Sequence, residues 1–102
     1  MTDATPSNDT RPVALVTGGG QGIGRATVGK LVADGWRVAA VDLDAEALAE
    51  VTGQHGGVVC AVPADVAEPD APGIAVDRTV ATFGRLDALV NNAGINANGP
   101  LE

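Results

Sequence analysis

A single cysteine, Cys60, leaves no partner for an internal disulfide, and with a single histidine, His55, no Cys/His metal cluster can be assembled. No metal site is expected. Basic residues are scarce as well: six Lys and Arg stand against 13 Asp and Glu, a formal charge of −7, whereas nucleic-acid and anionic-membrane partners need a basic face. No apolar run reaches the roughly 18 residues of a membrane span. The N-terminus also lacks the basic-then-apolar layout of a signal peptide. The sequence therefore predicts a soluble, cytoplasmic protein with no nucleic-acid or membrane partner. No internal repeat or low-complexity tract is present. At 102 residues and 45% apolar content, the chain can build at most one domain around one modest core.

What is abundant is glycine, five of them within Gly18–Gly24. The β-branched run Val13–Val16 leads straight into this turn, and behind it Ile23, Ala26, Thr27 and Leu31 fall at helical spacing. Such a strand–turn–helix corner suits a phosphate. Glycines let backbone N–H groups approach a ligand, and the unpaired donors and positive dipole end of a helix receive an anion. The P-loop spacing fails here, because the Gly19–Gly24 pair is followed by Arg25-Ala26 instead of Lys-Ser/Thr. G-x-G-x-x-G fails too, since it needs glycine at Ile23 or at Thr27. What remains is T-G-x-x-x-G-x-G, carried by Thr17, Gly18, Gly22 and Gly24.

Residues 1–11 are polar and without period, and read as a disordered leader ahead of a domain over 12–102. Strands are expected at Val13–Val16, Arg37–Val41, Val58–Val62 and Leu86–Val90. The intervening helices are expected at about Gly22–Ala33, from an Asp44 N-cap to a break at Gly53, and at about Ala71–Phe83 with Val76, Val80 and Phe83 at helical spacing. Gln54–Gly57 reads as a loop that exposes His55, Gly29 as a point of close packing on the sheet, and Cys60 as a small buried hydrophobe. Alternating strands and helices predict a Rossmann-like, doubly wound α/β fold: an incomplete parallel sheet of about four strands in the order 3-2-1-4.

Asp42 follows Gly24 by eighteen residues and ends the second strand, where a carboxylate can accept from the 2′- and 3′-hydroxyls of an adenosine ribose and would repel a 2′-phosphate. NAD is thus favoured over NADP, although Arg25 beside the turn could relieve a phosphate. Asp65-Val66 and Asn91-Asn92-Ala93-Gly94 follow the third and fourth strands, on the same carboxyl edge.

The glycine spacing, the Asp-Val pair and the N-N-A-G tetrapeptide together resemble the short-chain dehydrogenase/reductase family, over about residues 12–101. That resemblance implies cofactor contacts at Gly18, Gly20, Gln21, Gly22, Ile23 and Gly24 in the turn, at Asp42 and Leu43, and around adenine at Asp65 and Val66. It also implies contacts along the ribose at Asn92, Ala93 and Gly94. The family interconverts alcohols and ketones with a Tyr-x-x-x-Lys pair, a serine and an asparagine located beyond N-N-A-G. This chain has no tyrosine, and its one lysine, Lys30, belongs to the first helix. No catalytic residue is expected. The chain reads as the N-terminal, cofactor-binding fragment of an NAD-preferring oxidoreductase whose full-length relatives form homo-oligomers. The alternative is a non-catalytic NAD-binding or subunit-pairing module, and self-association through an open sheet edge fits either.

Overall fold

A computed structural model describes residues 9–92. The elements run β1 (Val13–Thr17), α1 (Gly22–Ala33), β2 (Arg37–Asp42), α2 (Ala45–His55), a 3-10 turn (Gly56–Val58), β3 (Val59–Pro63), α3 (Ala71–Phe83) and β4 (Ala88–Asn91). The strands form one sheet in the order β3-β2-β1-β4, and every pairing is parallel. This is the Rossmann-like arrangement expected from the alternation of elements.

β1 and β2 are buried on both faces, and this is why they read as nearly unbroken apolar runs. Val16, Val38, Ala40 and Val59 pack with Val28 of α1 and Leu48 and Val51 of α2, and Trp36 lies against that cluster. Leu15, Ala39, Val41 and Val62 face the opposite way and pack with Ala75 of α3, with Cys60 against them. The helices thus cover both faces. The direction of winding reverses at β1, which opens a crevice at the carboxyl ends of β1 and β4.

Several local expectations need correction. Helix α2 passes through Gly53 to His55, and a 3-10 turn follows where a loop was expected; His55 is half-buried. A glycine costs an exposed helix only about 1 kcal/mol, and the burial of Ala47, Leu48 and Val51 outweighs it. Gly29 has no tight neighbour, since a Cβ there would meet nothing within 4 Å. In α3 the buried face is Ala71, Ala75 and Thr79, not Val76 and Val80, which are 38% and 43% exposed. Small residues let the helix approach the sheet, and Thr79 satisfies its hydroxyl by donating to the Ala75 carbonyl (2.7 Å). Leu89 of β4 pairs in register with buried Leu15 yet is 62% exposed, because α3 lies over the other three strands.

Arg37 was not expected in the core. It is 4% exposed at the amino edge of the sheet, where it donates to the carbonyls of Arg11 (2.8 Å), Asp9 (3.3 Å) and Phe83 (3.4 Å) and lies 5.2 Å from the Phe83 ring. That edge is opposite the carboxyl ends where the motif residues gather.

Candidate functional site

The glycine turn joins β1 to α1 through two left-handed residues, Gly18 (φ 67°) and Gly22 (φ 55°). Gly19 donates to the Val41 carbonyl (3.0 Å), which lashes the turn to the end of β2. Gly24 is in closest contact: a Cβ on it would lie 1.8 Å from the Gly18 carbonyl oxygen. A Cβ on Gly20 would lie 3.0 Å from both Ala47 Cβ and Asp42 Oδ2. The backbone therefore lies where side chains cannot.

Helices α1 and α2, which both start at this edge, differ at their N-termini. Asp44 closes α2 by accepting from the N–H groups of Glu46 (3.0 Å) and Ala47 (3.1 Å). At α1 the N-cap residue is Gln21, which makes no side-chain capping bond, and the first turn carries no acid. The amide of Gln21 instead reaches Asp44 Oδ2 (2.7 Å). The N–H groups and positive dipole end of the first turn of α1 are consequently left without a side-chain cap, which suits an anion.

Asp42 lies beside that turn. Its Oδ2 accepts from Gly20 N–H and its Oδ1 from Asp44 N–H, both at 3.0 Å, so the carboxylate is oriented by backbone and retains lone pairs for further donors. Asp42, Leu43, Asp65, Val66 and Gly18 line a single cleft of about 230 Å³ at the ends of β1, β2 and β3. Leu43 is 70% exposed. Asp65 uses Oδ1 to accept from Ala67 N–H (2.9 Å), which leaves Oδ2 for another donor. Ile23, exposed in the first turn of α1, adds apolar surface next to the open N–H groups.

On the β4 side, Thr17 donates to Asn91 Oδ1 (2.9 Å), which couples the motif threonine to the first asparagine of N-N-A-G. Asn92 Nδ2 is buried and has no hydrogen-bond partner among the described residues. Ala93 and Gly94 lie outside the described residues. The fold thus draws Gly18, Gly20, Gln21, Gly22, Ile23, Gly24, Asp42, Leu43, Asp65, Val66 and Asn92 to one sheet edge. Sequence reasoning missed the side-chain ties around this edge: Gln21 to Asp44, Arg25 to Glu50 (3.2 Å) and Thr17 to Asn91. The acids at i+2 and i+8 from Asp42 were the available signal for the first two. Cys60 is half-buried and burial pushes its thiol up, offset in part by a hydrogen bond with Thr82, so it is held away from the thiolate a nucleophile needs. Among the described residues no helix is long and apolar enough to cross a membrane.

A model of the short chain dehydrogenase family matches residues 12–102. Similar curated proteins include cis-1,2-dihydrobenzene-1,2-diol dehydrogenase of Pseudomonas putida, 49% identical over 83 residues, which covers 81% of this chain and 30% of that protein. Another is cis-2,3-dihydrobiphenyl-2,3-diol dehydrogenase of Paraburkholderia xenovorans, 46% identical over 81 residues, with 79% and 29% covered. Among solved structures, 3-ketoacyl-(acyl-carrier-protein) reductase of Brucella melitensis complexed with NADH superimposes with a TM-score of 0.74 at 33% identity, over 76% of this chain and 32% of that one. The chain thus spans about 30% of the length of the curated relatives it matches.

Proposed function

Because this chain belongs to the short-chain dehydrogenase family, we propose that its carboxyl edge holds NAD(H) as the cofactor-binding portion of a cytoplasmic oxidoreductase that interconverts alcohols and ketones. The observation that carries this reading is the position of the oriented Asp42 carboxylate between the glycine turn and the Leu43–Val66 cleft, beside the uncapped start of α1.

In this reading the N–H groups at the start of α1, beyond Gly19 and Gly20 whose N–H groups are bonded to Val41 and Asp42, receive the pyrophosphate. Asp42 accepts from the ribose hydroxyls, and Leu43, Asp65 and Val66 flank adenine. Asn92, whose buried Nδ2 has no partner among the described residues, is read as a ribose-side contact. The turn is tightly packed at the backbone, since a Cβ on Gly20 would crowd Ala47 and Asp42 and one on Gly24 would clash with the Gly18 carbonyl. Bound nicotinamide would accept or deliver hydride at a carbon. The proton at the substrate oxygen needs a separate acid, and these 102 residues include no tyrosine, while Lys30 is paired with Asp34 (3.4 Å) in the last turn of α1. The chain on its own is therefore read as binding the dinucleotide without turning over substrate. The similarity to dihydrodiol dehydrogenases makes a cyclic vicinal diol the substrate class to try first for a full-length relative.

NAD is preferred to NADP in this reading, because Asp42 would face a 2′-phosphate with like charge. Calorimetric titration of the chain with NAD and with NADP at matched ionic strength tests it: saturable NAD binding tighter than NADP is expected, and no binding of either would sink it.

A second reading, a subunit-pairing module without catalysis of its own, is favoured by the groove between α3 and β4. Leu89, Val76 and Val66 expose apolar surface there over Leu15 and Ala75. Sedimentation velocity separates the two readings, since a pairing module forms one defined oligomer whether or not NAD is present.

A further inference from the structure

Gly20 links two clefts. Its N–H holds Asp42 Oδ2 on the side of the proposed ribose site, and the same residue lines a second cleft of about 310 Å³ between the start of α1 and the body of α2. Gln21 and Arg25 form one wall of that second cleft, and Asp44, Glu46 and Glu50 form the other. Through the Gly20–Asp42 hydrogen bond this cleft adjoins the carboxylate assigned above to the ribose.

Arg25 is the one cation among the described residues lining this cleft, and its Nη1 lies 3.2 Å from Glu50 Oε1. The Gln21 amide, the other long donor, is turned to Asp44 Oδ2 at 2.7 Å. Both donors that could greet an extra phosphate are thus committed to acids of the α2 segment. With one cation against three carboxylates, the cleft carries net negative charge.

We propose that Glu50 is a specificity-determining residue: by pairing with Arg25 it cancels the one cation lining this cleft, so that the cleft rejects a 2′-phosphate and the chain selects NAD(H) over NADP(H). This rests on the dinucleotide reading above and goes beyond Asp42. Glu50 is open to solvent and Arg25 partly so, with side chains 68% and 35% exposed, so the pair acts through the charge it cancels and its effect is screened by salt.

Adenosine 2′,5′-bisphosphate and 5′-AMP, titrated by NMR into the full chain at matched ionic strength, isolate this effect from hydride chemistry. Glu50→Gln is expected to improve the affinity for the bisphosphate relative to 5′-AMP by about fivefold at low salt, and Arg25→Gln in the same background to erase the gain. If 5′-AMP binds and the ratio stays unchanged, or if the gain survives without Arg25, the role of Glu50 is overturned while the dinucleotide reading stands. If 5′-AMP fails to bind the unaltered chain, both fall together.

Discussion

The N–H of Gly20 donates to Oδ2 of Asp42 across 3.0 Å, so the residue that ends β2 and the turn that begins α1 are parts of one object. Asp42 Oδ1 accepts from Asp44 N–H at the same distance, which sets the plane of the carboxylate before any ligand arrives.

Replacing Asp42 should therefore have a selective effect. Asp42→Ala is expected to weaken NAD binding at least about tenfold, since each charge-assisted hydrogen bond contributes about 1.5–3 kcal/mol. NADP binding should fall far less, because a repulsive charge is removed along with the contacts. Calorimetry with both dinucleotides checks this, and equal losses would show that Asp42 is not the ribose ligand.

Two glycines of the same helix should respond oppositely to alanine. At Gly24 the new Cβ would meet the Gly18 carbonyl at 1.8 Å, so the turn must open: Gly24→Ala is expected to cost about 1–3 kcal/mol and to abolish dinucleotide binding. At Gly29 a Cβ meets nothing within 4 Å, so Gly29→Ala should be neutral or stabilise by up to about 1 kcal/mol through helix propensity. Urea unfolding of the two variants decides the matter.

Acid should loosen the amino edge through Asp87. The Arg85 guanidinium beside it, followed by the N–H of Val13, holds its carboxyl below the usual carboxylate range. A depressed folded-state pKa contributes stability that is complete above the unfolded value of about 3.9 and is lost as pH falls through the folded one. Asp87→Asn should flatten the dependence of Tm on pH below about pH 4 and leave the region above pH 5 parallel to the unaltered chain.

Leu89 is expected to govern self-association more than stability. Leu89→Lys places a charge on a strand residue already 62% exposed. The variant should remain folded with a Tm close to that of the unaltered chain and show a smaller sedimenting species at high concentration. Loss of the folded state would show that Leu89 is core.

Much of this architecture is local in origin and could be read from the chain alone. β-branched runs with both faces covered make β1 and β2. The stretch from Gly22 to Ala33 and the stretch from Ala71 to Phe83 form helices over the predicted bounds. The spacing Thr17-Gly18…Gly22…Gly24 can only place a backbone turn at a strand end, and eighteen residues bring Asp42 to the next strand end. Composition and spacing determined these features because propensity, turn chemistry and the lengths of elements act over a few residues.

Other features depend on which elements meet, and only the tertiary structure decided them. Arg37 is buried because three carbonyls from distant segments converge on it. Ala71, Ala75 and Thr79 face the sheet because small side chains permit close approach, while the larger Val76 and Val80 flank the contact. Gly53 stays helical because burial on β3 outweighs its propensity. The pairing of Arg25 with Glu50, twenty-five positions apart, exists because α1 and α2 lie on the same face of the sheet. Periodicity names a face of a helix; the partner across it follows from the packing.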